Sequence, residues 1–256
     1  MSAVAALSQR LRSGATVVSA WCAIPDPMVA GLLASEGFDT VTLDLQHGGY
    51  DVAAAMRAIP HVAAAGKPAA VRIPVRDFAS ASRLLDCGAA AVIAPMINTV
   101  EDAQAFAAHM KYPPIGTRSW GPMAAMAITG QGPDAYFAAA NETSLAFAMV
   151  ETREALRIVD DILAVPGIDG LFVGPADLSI ALSGGAGIDP FHPEVEAALD
   201  HVARRARAAG KFAAVYAFAP ERVGALFARG FHVCAVGMDI FYLRAGAQDI
   251  LAKARG

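Results

Sequence analysis

Eight short runs of apolar, β-prone residues punctuate the chain, at residues 17–22, 40–45, 69–74, 91–96, 145–150, 170–174, 212–217 and 232–237. They are apolar throughout rather than alternating with polar residues, the pattern of parallel strands buried on both faces. Longer helix-like stretches lie between them, at 51–65, 100–111, 153–164 and 194–209 among others. A parallel strand needs a crossover of a dozen or more residues to reach its neighbour, and a helix is the usual crossover. Eight such rounds in 256 residues favour a closed barrel over an open doubly wound sheet. The expectation is one (β/α)8 barrel domain covering residues 1–256.

Composition agrees with this reading. The hydrophobic fraction is 55%, and much of it is alanine, the strongest helix former. The longest unbroken apolar run spans 89–97, far short of the roughly twenty residues that cross a membrane. The apolar stretch 3–7 has no basic residue before it and runs into Ser8-Gln9-Arg10, which is not a signal-peptide layout. Cys22, Cys87 and Cys234 form no CxxC pair, as expected of reduced thiols in a cytoplasmic protein. A net charge of −4 without a basic cluster argues against nucleic acid as a partner.

Gly-containing turns precede several strands, as helix C-caps require. One connection breaks the rhythm: residues 112–143 form a long insert containing Pro113-Pro114, Gly116, Gly121-Pro122 and Gly130. Connections of that length inside a compact domain are usually functional or interfacial.

Catalytic groups of such barrels sit at the C-terminal strand ends. The polar residues there are Asp44, Gln46 and His47 after the second strand, Arg72 on the third, Asn98 after the fourth, Glu151 after the fifth and Asp177 after the sixth. Glu151 and Asp177 end neighbouring strands, and two carboxylates with water and a substrate oxygen suit a hard cation such as Mg²⁺ or Mn²⁺. The competing readings are a helix cap for Asp177 and an ion pair with Arg153 for Glu151. Gly174-Pro175-Ala176-Asp177 turns from strand to helix, where free amides and the helix dipole suit a substrate carboxylate. His47 lies in Asp44-Leu45-Gln46-His47-Gly48-Gly49, and an imidazole suits proton transfer near neutral pH. Arg72 sits in an apolar strand, so it either pairs with a carboxylate such as Asp44 or meets an anionic ligand.

The four lysines exclude Schiff-base chemistry. Lys67 and Lys211 precede strands, Lys111 ends a helix and Lys253 is near the C-terminus, none of them at the active mouth. An electron sink for a carbanion would then come from a metal. No HExxH, GxSxG, Walker A or strand-following GxGxxG is present.

These residues resemble the HpcH/HpaI family of class II aldolases, over nearly the whole chain. The likeness is carried by Leu43-Asp44-Leu45-Gln46-His47-Gly48, Val71-Arg72-Ile73-Pro74, Ala94-Pro95-Met96, Tyr112-Pro113-Pro114-Ile115-Gly116-Thr117-Arg118, Val150-Glu151-Thr152-Arg153-Glu154-Ala155-Leu156 and Gly174-Pro175-Ala176-Asp177-Leu178-Ser179. The resemblance implies a lyase acting on the enolate of pyruvate or hydroxypyruvate plus an aldehyde, with oxaloacetate decarboxylation as a side activity. It implies a divalent cofactor (Mg²⁺, Mn²⁺ or Co²⁺) on Glu151 and Asp177, His47 as base and Arg72 facing the enolate oxygen, with Asp44 also in the catalytic set. The keto-acid carboxylate would meet the backbone of Gly174, Pro175 and Ala176. Asp86 would raise the basicity of the histidine, and the assembly would be a homohexamer, a trimer of dimers. Asp86, before Gly88 and the fourth strand, belongs to the barrel's bottom, whereas His47 is at its top. The resemblance therefore predicts that Asp86 reaches the histidine of another subunit, aided by interface residues Trp120, Met123 and Met126. Two positions depart from the family pattern: Gln46 stands where many members have Glu, and Met149 where Gln is usual. The alternatives are a citrate-lyase-like acyl-CoA lyase, which would need a basic surface for the nucleotide, and a non-catalytic barrel subunit, which would leave Glu151, Asp177 and Arg72 unexplained.

Overall fold

The computed structural model describes residues 3–256. The chain opens with α1 (Ala3–Arg12), β1 (Val17–Cys22), α2 (Pro27–Ser35), β2 (Thr40–Asp44), α3 (Val52–Ala64) and β3 (Ala69–Arg72). It continues through α4 (Phe78–Asp86), β4 (Ala91–Ala94), α5 (Val100–Met110), α6 (Met123–Thr129), α7 (Pro133–Thr143) and β5 (Leu145–Val150). Then come α8 (Arg153–Arg157), α9 (Val159–Ala164), β6 (Gly170–Val173), α10 (Pro175–Leu182), α11 (Pro193–Ala208) and β7 (Phe212–Ala217). A 3₁₀ turn (Pro220–Arg222), α12 (Val223–Arg229), β8 (Val233–Val236) and α13 (Asp239–Arg255) complete the order. The eight strands pair in sequence order, all parallel, and β1 closes the barrel on β8.

Strand periodicity divides the core in two. On β1 and β5, Val17, Trp21, Leu145, Phe147 and Met149 point into the barrel with Phe172 of β6. Val4, Leu7 and Leu11 of α1 join this inner cluster and plug the bottom. The alternate residues, such as Val41, Leu43, Ala148 and Val150, face the helix layer. Each large side chain so buried stabilises the fold by about 1.5–3 kcal/mol.

Several strands are shorter than the sequence runs suggest. Leu45, Pro74, Met96, Gly174 and Gly237 lie beyond the ladder ends because the backbone there turns to build the mouth. Met96 and Gly237 take positive φ values of 54° and 63°. The stretch 153–164 is two helices rather than one, broken at Ile158 (φ −107°, ψ 20°), where the β-branched pair Ile158-Val159 weakens the helix. The insert 112–143 contains α6 and α7, which pack on α1 at the bottom face. Trp120 and Met123 are exposed as expected, but Met126 turns inward against Tyr112, Ala125 and Tyr136. Lys111 is buried at this end, where its Nζ meets Asp169 (2.7 Å) and the carbonyls of Asn141 and Ser144. Among the described residues no helix is long and apolar enough to cross a membrane.

Candidate active site

The C-terminal mouth holds a cavity of about 280 Å³ whose lining includes Asp44, His47, Arg72, Gly174, Pro175, Ala176 and Asp177. The strand register places Asp44, the last residue of β2, opposite Arg72, the last of β3. Their side chains form a two-pronged pair, with Arg72 Nε donating to Oδ1 (2.9 Å) and Nη2 to Oδ2 (2.6 Å). Asp44 also accepts from Trp21 Nε1 (3.1 Å) and from the amides of Gln46 (3.0 Å) and His47 (3.3 Å). Burial would raise the Asp44 carboxyl, but the hydrogen bond and charge of Arg72 outweigh it, with help from Trp21 and Gln46, and hold it below the usual carboxylate range. Of the two fates open to Arg72, the pair with Asp44 is the one observed, and the guanidinium still borders the cavity, 4.9 Å over the Trp21 ring.

Asp44 also fixes the turn that carries the histidine. A Cβ at Gly48 would lie 2.3 Å from the Asp44 carbonyl oxygen, so only glycine lets the chain fold back so tightly. His47 is exposed at the rim, and its imidazole makes no hydrogen bond among the described residues. Gln46 faces inward, with its Oε1 buried and without a partner among them.

Glu151 is as buried as Asp44, at 1% exposure, but far less satisfied. Its one hydrogen bond among the described residues comes from the Met96 amide to Oε1 (2.7 Å). That amide is aimed by the left-handed backbone of Met96. Burial pushes the Glu151 carboxyl up to about 7; Asp177 adds to the rise, while the Met96 amide and Arg72 oppose it. The ion pair with Arg153 does not form, because Arg153 turns instead to the carbonyls of Ala181 and Leu182. Nor does Asp177 cap its helix: Gly174 is the cap residue of α10, and no side chain bonds to its first turn. The exposed Asp177 lines the cavity instead. A Cβ at Gly174 would come within 2.8 Å of Glu151 Oε2, so the bare backbone there leaves the carboxylate room.

No group of three or more His, Cys, Asp or Glu side chains suited to a metal occurs among the described residues. Glu151 and Asp177 nevertheless fit a hard divalent cation that takes one or two carboxylates and completes its shell with water and substrate oxygens. A buried carboxylate short of donors, beside a second acid, is the chemistry such a cation relieves.

The remaining sequence candidates sit elsewhere. Asp86 ends α4 at the opposite face, paired with the buried Arg118 (2.7 Å), whose Nη2 also reaches Tyr136. Asn98 accepts from Thr152 Oγ1 (2.5 Å), joining two mouth loops. A further mouth carboxylate, Asp239 at the start of α13, is buried and accepts from the amides of Ala23 (2.8 Å) and Ile24 (2.7 Å), clamping α13 to the end of β1. The aromatic wall of the cavity, formed by Trp21, Phe172, Tyr216, Phe218 and Phe241, is not marked by any sequence motif. Period-two alternation from Val17 could have found Trp21, but nothing local distinguishes Phe218 or Phe241 from core.

Residues 18–245 match the family described as HpcH/HpaI aldolase/citrate lyase. The chain is 37% identical to a hydroxypyruvate/pyruvate aldolase of Rhizorhabdus wittichii, over 94% of this chain and 95% of the relative. It is 32% identical to a 4-hydroxy-2-oxo-heptane-1,7-dioate aldolase of Klebsiella pneumoniae, over 97% of this chain and 93% of the relative. A crystal structure of an HpcH/HpaI aldolase/citrate lyase family protein from Burkholderia cenocepacia superposes with a TM-score of 0.87 at 30% identity, covering 98% of this chain and 100% of that one.

Proposed function

The chain belongs to the HpcH/HpaI aldolase/citrate lyase family, and from that membership we propose that it is a divalent-metal-dependent aldolase. It would make or cleave 4-hydroxy-2-keto acids, using pyruvate or hydroxypyruvate as the keto-acid donor. One observation carries the reading: a completed Asp44–Arg72 pair and an under-bonded, buried Glu151 flank one cavity that Asp177 also lines.

Each side chain has a task in this scheme. Glu151 and Asp177 hold the cation, Mg²⁺, Mn²⁺ or Co²⁺ by the hardness of their oxygens. When bound, the cation supplies Lewis acidity toward the donor's keto group. The amides of Ala176 and Asp177, in the first turn of α10, have no intrahelical acceptor and are free to take the donor's carboxylate; Gly174 and Pro175 shape that turn. Arg72, locked in place by Asp44, keeps Nη1 for the enolate oxygen, where preorganised charge is worth about 3 kcal/mol or more. His47 removes the C3 proton from the rim. The same enolate arises from loss of CO₂ by oxaloacetate, so decarboxylation is an expected side activity. Among the described residues the cavity lining has two basic side chains, Arg72 and His47, and no cluster for a nucleotide, which favours small keto acids over a coenzyme A thioester.

We further propose a homo-oligomer, a trimer of dimers, in which Asp86 reaches His47 of a second copy. Asp86 keeps 25% side-chain exposure while Arg118 fixes it, Trp120 and Met123 are exposed nearby, and α13 leaves Leu243, Ile250 and Leu251 uncovered. The three cysteines are free and buried, in keeping with a reducing compartment such as the cytoplasm.

The direct test is NMR-detected exchange of deuterium into C3 of pyruvate. Exchange should require added Mn²⁺ or Mg²⁺ and stop with EDTA. Metal-independent exchange, or none at all, would refute the proposal.

A further inference from the structure

Beyond the donor end, the cavity changes character. Trp21, whose ring lies under Arg72, meets Tyr216 edge-on with centroids 5.5 Å apart, and Tyr216 meets Phe218 at 4.9 Å. Phe218 in turn meets Phe191 at 6.5 Å, so a line of aromatic rings runs from the polar floor to the rim. Phe218 and Phe241 line the mouth while remaining 44% and 57% exposed. Large apolar rings exposed in a concave site mark a place where a ligand buries its own apolar surface. The Tyr216 hydroxyl donates to the Gly237 carbonyl (3.1 Å), so that wall presents its ring.

Charge is distributed in the complementary way. The two basic side chains of the lining are Arg72 and His47; Arg72 is paired with Asp44, and both lie at the donor end. Arg222, 4.9 Å from the Phe191 ring, is paired with Glu196 (2.6 Å). Among the described residues of one chain, the rings of this wall have no unpaired cation in the cavity lining beside them, so a carboxylate on the second substrate would be desolvated there at a large cost. A cavity of about 280 Å³ is at the small end of ligand sites. That suits a three-carbon keto acid with a one-ring partner.

We propose that the acceptor of this site is an uncharged aldehyde bearing an aromatic or extended apolar group, seated against Tyr216, Phe218 and Phe241. The proposal rests on the aldolase reading. In the step it describes, the electron pair at C3 of the donor enolate forms a bond to the aldehyde carbon. The carbonyl π pair moves to the aldehyde oxygen, which takes up one proton. The product is a 4-hydroxy-2-keto acid with the apolar group on C4, and no oxidant or reductant is consumed.

The test uses the whole protein with Mn²⁺, pyruvate and three acceptors: benzaldehyde, 4-carboxybenzaldehyde and glycolaldehyde. Benzaldehyde should exceed each of the others in kcat/KM by at least ~10-fold, because the first comparison varies charge and the second apolar surface. Phe218→Arg should shrink the benzaldehyde to 4-carboxybenzaldehyde ratio by ~10-fold or more. Should that variant not fold, the wild-type ratios decide alone. Equal or better turnover of either comparison aldehyde by the wild type overturns the proposal. Pyruvate C3 exchange, run without acceptor on the same sample, separates the two failures. Exchange without the expected preference, or without any aldehyde turnover, refutes the acceptor class alone; absence of exchange refutes the aldolase reading and the acceptor class with it.

Discussion

Two carboxylates end up equally buried at one barrel mouth, and the chain treats them in opposite ways. Asp44 receives five hydrogen bonds, two of them from Arg72, and is held ionised. Glu151 receives one and is pushed up to about 7. A buried acid with a complete set of donors is finished by the protein itself. One left short, beside Asp177, carries a cost that folding alone does not require. Such a cost is retained where something else completes the site, and here a divalent cation fits.

The largest effect should come from breaking the finished side. Asp44→Ala strands the Arg72 guanidinium, 8% exposed, and should cost about 3–5 kcal/mol in urea unfolding. A loss under 1 kcal/mol would mean that the pair is not a structural element. Trp21→Phe removes a single charged hydrogen bond to Asp44 and should cost a smaller ~1.5–3 kcal/mol in the same measurement.

On the unfinished side the smallest change in stability is expected, and its pH dependence has the opposite sign. In EDTA the folded Glu151 keeps its proton to about pH 7, against 4.5 for an ordinary glutamate. Between those values the folded state binds more protons than the unfolded, so this contribution to stability falls as pH rises and levels off above about 7. Asp44 behaves in reverse: its contribution is present above its ordinary value of 3.8 and is lost as pH falls towards its lower folded value. Glu151→Gln, a neutral group of the same shape, should therefore flatten the decline between pH 5 and 7 in thermal unfolding. An unchanged slope would assign the proton elsewhere.

The contrast was half legible in the sequence. Continuous apolar runs and their spacing gave all eight strands, because parallel strands buried on both faces leave a strong local mark. That mark also brought Asp44, Arg72, Glu151 and Asp177 to one end. Local pattern cannot tell which acid Arg72 takes, since that depends on the β2–β3 register. Nor does it show the positive φ of Met96, a bulky residue that aims one amide at Glu151. The aromatic wall was invisible for a related reason: Tyr216 reads as strand core and Phe218 as the residue just past the strand, and only barrel closure turns them toward the cavity.

The most direct test of the account is calorimetric titration of Mn²⁺ into the wild type, Glu151→Gln and Asp177→Asn at pH 6 and pH 8. The account predicts one site per chain in the wild type, tighter at pH 8 by up to ~10-fold because the cation must displace the Glu151 proton. Each variant should bind at least ~10-fold more weakly, and Glu151→Gln should lose the pH dependence. Wild-type affinity retained in either variant, or binding equally tight at both pH values, would contradict it.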